Sequence, residues 1–293
     1  MNSPAVFQAA TAGTWPARLE LQVGRRGDSS RLRRCHHRGP LYVQRAFYPE
    51  GEDLAHLYLL HPPGGVVSGD ALQIRVECQQ DARALVTTPG AGRIYRARDT
   101  LPLQQQKVEL RLQPGASLEW FPLETIVYDG ACVDMGTAVH LAKDSAFIGW
   151  ELACFGLPAS GAPFSRGSFR QCYRIFREGV PLFIDALDID DSNRDALLSG
   201  PAAMRGSAVS GFFLAGPFAR EQGRALIETI RGLQVPDAAP ADSCAISQVG
   251  DLLVGRYLGG SAERARCQFA RWWQVLRPAL LSRQACPPRI WLT

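Results

Sequence analysis

From Arg18 to about residue 190 a turn signal recurs roughly every 8 to 15 residues, and between these signals apolar side chains occupy alternate positions. Leu19, Leu21 and Val23 share one face of a strand over 18–23. Leu72, Ile74, Val76 and Cys78 alternate with Gln73, Arg75 and Glu77, and Val108, Leu110 and Leu112 alternate ahead of Pro114-Gly115. Further strands are expected over 41–47 behind Gly39-Pro40, over 54–60, and over 82–88 before Pro89-Gly90. Others are expected over 117–121 and 125–128 on either side of Pro122, then over 133–141, 146–155, 167–177 and 182–188. A period of two sends neighbouring side chains to opposite faces. No 3.6-residue period interrupts it. The pattern predicts layered antiparallel sheets, a mainly β body over 18–190.

The last third changes period. A β-like run over 210–214 precedes a helix over 218–233, with Leu226, Ile227, Ile230 and Leu233 on one face. A linker rich in proline and alanine follows over 236–242, then a hairpin over 245–258 turning at Gly250-Asp251. Residues 262–277 give the clearest helix. Ala265, Phe269, Trp272, Trp273 and Leu276 form its apolar stripe, and Glu263 in its first turn suits the helix dipole. The paired tryptophans read as core rather than as a binding site. Residues 205–285 are therefore expected to form a small α+β portion with two helices, packed on the β body within a single domain over 1–293. No internal repeat stands out.

Charge and motif exclude several function classes. With 32 basic residues against 28 acidic the formal net charge is +4, too small to argue for nucleic acid or a membrane surface. Neither a leader-like N-terminus nor an 18-residue apolar stretch is visible, so a cytoplasmic protein is expected. The eight cysteines are scattered without a two-residue spacing, which suits reduced thiols. There is no phosphate loop, Gly90-Ala91-Gly92 lacks the third glycine of a dinucleotide fingerprint, and Gly65 to Gly69 does not form a nucleophile elbow around Ser68. Cys35-His36-His37 is the one local cluster of metal-ligand types, but Arg33, Arg34 and Arg38 flank it.

What remains is a loop and a set of carboxylates. His61-Pro-Pro-Gly-Gly-Val-Val-Ser-Gly-Asp70 carries two prolines and three glycines between two expected strands, so it bends tightly and ends in an acid. On its own it reads equally as a hairpin connection. Asp70, Glu124, Asp129 and Asp134 fall at strand ends or turns, and Asp185, Asp188, Asp190 and Asp191 cluster near the end of the β body. Oxygen donors with a few imidazoles hold divalent metals weakly and exchangeably, whereas turn aspartates commonly bond their own backbone.

Three segments carry a resemblance: His61 to Asp70, then Thr87-Thr-Pro-Gly-Ala-Gly-Arg-Ile-Tyr-Arg96, then Leu118-Glu-Trp-Phe-Pro-Leu-Glu-Thr-Ile-Val-Tyr-Asp-Gly-Ala131. Together they resemble the urease accessory protein D family, called H in some organisms. Cys154 to Gly161, Gly250 to Gly259 and Cys286-Pro-Pro-Arg-Ile-Trp291 extend the likeness from Arg18 to the C-terminus. Ser68 stands where the family pattern has glycine. The resemblance implies a mainly β fold and a nonenzymatic maturation factor. Such a factor binds urease apoprotein, recruits accessory proteins F and G (the latter a GTPase) and assists nickel delivery, with an internal passage as one route. It implies no tightly bound cofactor, transient nickel, and neither nucleic acid nor membrane as partner. Carried onto this chain, Asp70, Glu124 and Asp129, with His61, lie along or shape the nickel route. A docking scaffold without a conduit, or a metal-dependent hydrolase, are the alternatives.

Overall fold

The computed structural model describes residues 15–98, 103–233 and 242–292. The expected linker over 236–242 lies outside the described residues apart from Asp242. In chain order the strands are β1 (Trp15–Arg26), β2 (Ser29–Arg38), β3 (Ala55–Tyr58), β4 (Asp70–Cys78), β5 (Arg83–Thr87), β6 (Gly92–Ile94), β7 (Gln104–Leu112) and β8 (Ser117–Phe121). They continue with β9 (Thr125–Val127), β10 (Cys132–Leu141), β11 (Ala146–Phe155), β12 (Ser168–Arg177), β13 (Val180–Ile189), β14 (Val209–Gly216), β15 (Ser243–Val249) and β16 (Leu252–Gly259). Three α-helices accompany them: α1 (Arg194–Ser199), α2 (Arg220–Arg231) and α3 (Ala262–Leu281).

The strands form two layers. One sheet runs β13-β12-β10-β7-β4-β1-β2 and the other β15-β16-β14-β11-β8-β5-β3, with β9 and β6 attached beside β11. The chain is mainly β with its two long helices near the C-terminus, as the patterning requires. Strand direction departs from the antiparallel expectation. β1, β4, β7, β10 and β12 are mutually parallel, as are β3, β5, β8 and β11. Antiparallel pairing is confined to the flanks, at β1–β2, β12–β13 and β11–β14–β16–β15. Parallel neighbours need a crossover of about a dozen residues. Here a strand of the opposite sheet supplies it: the chain leaves one layer at a short turn, runs through the other, and returns beside where it started. Alternating burial looks the same for either direction, so the sequence period could not distinguish them.

The coil is regular. Ala71 faces Gln105 and Gln105 faces Asp134 in one sheet, while Arg83 faces Ser117 and Ser117 faces Ala146 in the other, so both layers advance by 34 and then 29 residues. The turns over 79–82, 113–116 and 142–145 therefore stack. Asp81 N donates to Pro114 O at 3.0 Å, and Gly115 N donates to Asp144 Oδ1 at 3.2 Å. Gly115 has φ +69°, and a Cβ there would come within 2.1 Å of Asp81 Oδ1, so only glycine fits.

Two local expectations are corrected. Residues 41–47 make only isolated bridges, Tyr42 to Leu60 and Phe47 to His56, because Leu41 and Val43 anchor an irregular segment at the end of the inter-sheet core. β2 was not anticipated; its residues 33–38 are exposed on both faces, so they leave no apolar alternation to read.

Two apolar layers result. Leu21, Val76, Leu110 and Val139 meet Val86 and Leu118 between the sheets. On the outer face of the second sheet, Trp150, Phe213 and Leu253 pack under Phe269, Trp272 and Trp273 of α3, which places both tryptophans in core. A buried ionic cluster fixes α3 there. Arg277 is fully enclosed. It donates from Nε and Nη2 to the two oxygens of Glu119 on β8, each at 2.9 Å, and from Nη1 and Nη2 to Glu50 at 2.6 and 2.8 Å. Trp273 Nε1 donates to Glu119 at 2.6 Å, and His56 Nε2 lies 2.8 Å from Glu50 Oε1. Burial alone would raise the Glu50 carboxyl, but its bonds to His56 and Arg277 outweigh burial and hold it at about 2. Burial pushes Glu119 up against the pull of Arg277.

Arg277→Met leaves Glu119 enclosed without a cation and Glu50 with only His56 and the more distant Arg283, and should lower unfolding free energy by about 3–5 kcal/mol in urea titrations at pH 7; a loss under about 1 kcal/mol would mean water reaches the cluster. Glu50 has a depressed folded value, so its contribution is complete above its ordinary 4.5 and is lost as pH falls toward 2. The difference in melting temperature between the native chain and Glu50→Gln should therefore shrink across that interval.

Candidate functional site

β3, β5 and β8 are adjacent and parallel, so the loops leaving their C-terminal ends lie side by side. These loops are the Pro-Pro-Gly-Gly stretch, the Thr-Pro-Gly-Ala-Gly stretch and the Phe-Pro-Leu-Glu stretch. The three segments quoted above thus converge at the end of the sandwich opposite the stacked turns. They surround a cavity of about 420 Å³ between the two sheets. Its walls are largely apolar, with Leu59, Ile74, Ile94 and Trp120 among them, and His61 and Arg93 supply polar groups.

Backbone bonds hold the loops to one another. Val66 N donates to Arg93 O at 2.7 Å, Tyr95 N to Val66 O at 3.0 Å, and Gly92 N to Glu124 O at 2.8 Å. Gln104, fully buried, bridges them. Its Nε2 donates to Tyr95 O at 2.5 Å and Val66 O at 3.2 Å, while its Oε1 accepts from Cys132 N at 2.9 Å. A Cβ on Gly65 would come within 2.2 Å of the Tyr95 ring, so that glycine is what lets the two loops close together. The Pro-Pro-Gly-Gly stretch links strands of different sheets and is not a hairpin connection.

The four residues singled out from the sequence are placed differently. His61 lines the cavity, and burial pushes its imidazole down while neighbouring Asp70 pulls it up. Asp70 closes its own turn, Oδ2 accepting from Val67 N at 2.9 Å. The carboxylate of Glu124 faces α3, with Oε2 3.6 Å from Arg266 Nη1, and it stands near the Cys154 thiol, whose pKa burial and that charge both raise. Asp129 lies in the turn after β9. It accepts from Ser165 N and Oγ at 2.8 Å and from Arg166 N and Nε at 3.0 and 2.9 Å. Against the upward push of burial, those bonds hold its carboxyl below the usual range. His61 and Asp70 therefore share a neighbourhood, whereas Glu124 and Asp129 are each engaged by an arginine elsewhere.

Among the described residues no three His, Cys, Asp or Glu side chains come together as a metal-holding group. Cys35, His36 and His37 are consecutive on an exposed strand, which sends them to alternate faces. The acidic cluster is dispersed into pairs, Asp185 with Arg256, Asp188 with Arg170 and Asp191 with Arg194. Ser68 Oγ accepts from Arg98 N at 2.6 Å, a structural bond that ties the loop.

A buried acid beside the cavity carries no motif in the sequence. Glu151 on β11 points between the sheets, accepting from Thr137 Oγ1 at 2.7 Å, Gln171 Nε2 at 2.9 Å and Trp120 Nε1 at 3.4 Å. Trp120 also lines the cavity, so this carboxylate stands directly behind the cavity wall. Burial pushes its pKa up, outweighing those bonds. The signal was present: Glu151 is the one charged residue in the apolar run 146–155. A raised folded value lowers stability as pH climbs above the ordinary 4.5 and through the folded value. Glu151→Gln should therefore melt higher than the native chain at pH 8 and lose that advantage by pH 4. A gain independent of pH would contradict this.

Comparison with known proteins follows the same residues. The family model described as UreD urease accessory protein matches residues 16–292. Proteins named urease accessory protein UreD from Azoarcus sp. (strain BH72) and Dechloromonas aromatica (strain RCB) are 42% and 41% identical to the chain. The alignments cover 98% of this chain in both cases, and 97% and 98% of those proteins. One of the same name from Marinomonas sp. (strain MWYL1) is 39% identical over 96% of this chain and 91% of its own length. No helix among the described residues is long and apolar enough to cross a membrane.

Proposed function

This chain belongs to the UreD family of urease accessory proteins, and on that premise we propose that it is a nonenzymatic maturation factor that binds urease apoprotein, recruits accessory proteins F and G and assists nickel delivery. The observation that carries the reading is the convergence of three separate segments, 61–70, 87–96 and 118–131, on one cavity between the sheets. In this reading the cavity is one mouth of a route for nickel, and His61 with Asp70 meets the ion there. Imidazole and carboxylate offered singly bind a divalent cation loosely enough to release it. Glu124 and Asp129 act further along the route or shape it. The GTP chemistry belongs to the partner.

A docking scaffold without a conduit is the second reading, favoured by the arginines that engage Glu124 and Asp129. A metal-dependent hydrolase has less support, since among the described residues no three metal-ligating side chains come together.

The test starts in cells lacking only this protein, with urease subunits present and nickel supplied. Urease there should be inactive and nickel-poor, and should be restored by the native chain; fully nickel-loaded urease would overturn the reading. Gly90 lines the cavity, and a Cβ there meets nothing within 4 Å. Gly90→Phe should fold, join the accessory complex and yield urease with at least a several-fold nickel deficit at limiting nickel. Full loading by Gly90→Phe, Asp70→Ala and Glu124→Ala alike would leave the scaffold in place and remove the conduit.

A further inference from the structure

The two edges of the first sheet are treated differently. β13 is blunted by Pro181 and by aspartates already paired, Asp185 with Arg256 and Asp188 with Arg170. β2 carries only a bulge at Arg33, where its register on β1 shifts; from Arg34 to Arg38 it pairs regularly with β1 on one side, and among the described residues no strand lies on the other. Its first residues are partly covered, since Ser30 N donates to Glu52 O at 2.9 Å and Arg31 Nη2 to Glu52 Oε2 at 2.6 Å. From there the run Arg33-Arg34-Cys35-His36-His37-Arg38 is exposed at every position. It contains no acidic residue, and none of its three arginines forms an ion pair among the described residues. Half of the backbone donors and acceptors of this run bond to β1, and the other half face outward along about 20 Å.

From this open edge and its uncompensated charge we propose that residues 33–38 of β2 form a docking edge for an acidic, extended segment of a partner protein, which adds as a further strand to the first sheet. Backbone pairing gives the addition its register, and carboxylates on alternate residues meet Arg34 and Arg38, which share one face of the strand. The charge that admits such a segment rejects a second copy of this chain, because pairing β2 with β2 would set arginines and histidines against their like. A nucleic acid strand is the poorer match. Its phosphodiester backbone carries no evenly spaced N–H to donate to the row of backbone carbonyls, and residues 33–38 offer no exposed aromatic ring for stacking bases other than the two imidazoles. The inference stands independently of the reading given to the cavity, although Leu41, three residues beyond Arg38, lines that cavity.

The test uses the full chain and a fluorescein-labelled, acetylated eight-residue peptide alternating glutamate with valine, followed by fluorescence anisotropy. Saturable binding is expected, with amide-exchange protection confined to residues 33–38. Arg34→Glu with Arg38→Glu, both at exposed positions, should weaken it at least tenfold while the circular dichroism spectrum and melting temperature stay native. Methylating every second peptide nitrogen on the edge-facing side should weaken it similarly, which simple charge attraction would not require. Absence of binding, equal binding of the methylated peptide, or protection elsewhere would overturn the proposal. So would tighter binding of a twenty-nucleotide single-stranded DNA, which would make the strand a phosphate-binding patch.

Discussion

The guanidinium of Arg277 lies out of solvent with Glu119 on one side, Glu50 on the other and the Trp273 ring 5.0 Å away. Glu50 belongs to the segment entering β3, Glu119 to the middle of the second sheet and Arg277 to the last long helix. A buried cation of this kind adds little net stability over an apolar packing, but it is intolerant of rearrangement, because moving any one member strands the others' charge. It therefore sets register. α3 can slide or rotate on its greasy tryptophan face at modest cost, and it is the ionic cluster that fixes which turn sits over β8. The C-terminal tail inherits that position: Trp291 packs on Phe121 and Trp150 and donates to Thr87 Oγ1 at 2.8 Å, directly beneath the loops that frame the cavity.

The remainder of the architecture follows from a coil that alternates between layers. Parallel strands that all point one way gather their outgoing loops at one end. The second sheet therefore presents three consecutive loops together, although 26 residues or more separate them in sequence. Glycine at 65 and a buried glutamine at 104 then weld those loops into a single rim. The cavity is a property of the coil, and its polar groups are few because inward positions of a sandwich are apolar by necessity.

Much of this was legible in the sequence and some was not. Most strand positions (though not β2), the hairpin over β15 and β16 and both long helices follow from period and punctuation alone. Strand direction does not, because a period of two fixes faces and is silent on neighbours. The coil did leave a trace in Asp81-Ala82, Gly115-Ala116 and Asp144-Ser145, each opening a strand of the second sheet. Three short copies at uneven spacing are too faint to stand out without the turn geometry that explains them. Of the site, the motif residues were identifiable, but which way each acid faces was not: Asp70 and Glu124 both read as acids beside a strand end, and only the folded loops send one to its own turn and the other to α3. Glu50, Glu119 and Arg277 were invisible for a related reason, since a buried charge and a solvated one read alike until their partners are known.

The stacked turns have a consequence for how such a chain can change over evolutionary time. The three stacked connections are each four residues long, and a single methyl group at Gly115 would collide with Asp81. An inserted residue there would shift every later strand out of step with two layers at once. At the opposite end the connections are long and irregular, and extra residues displace nothing in the coil. Changes of length are thus tolerated at one pole of the molecule and resisted at the other.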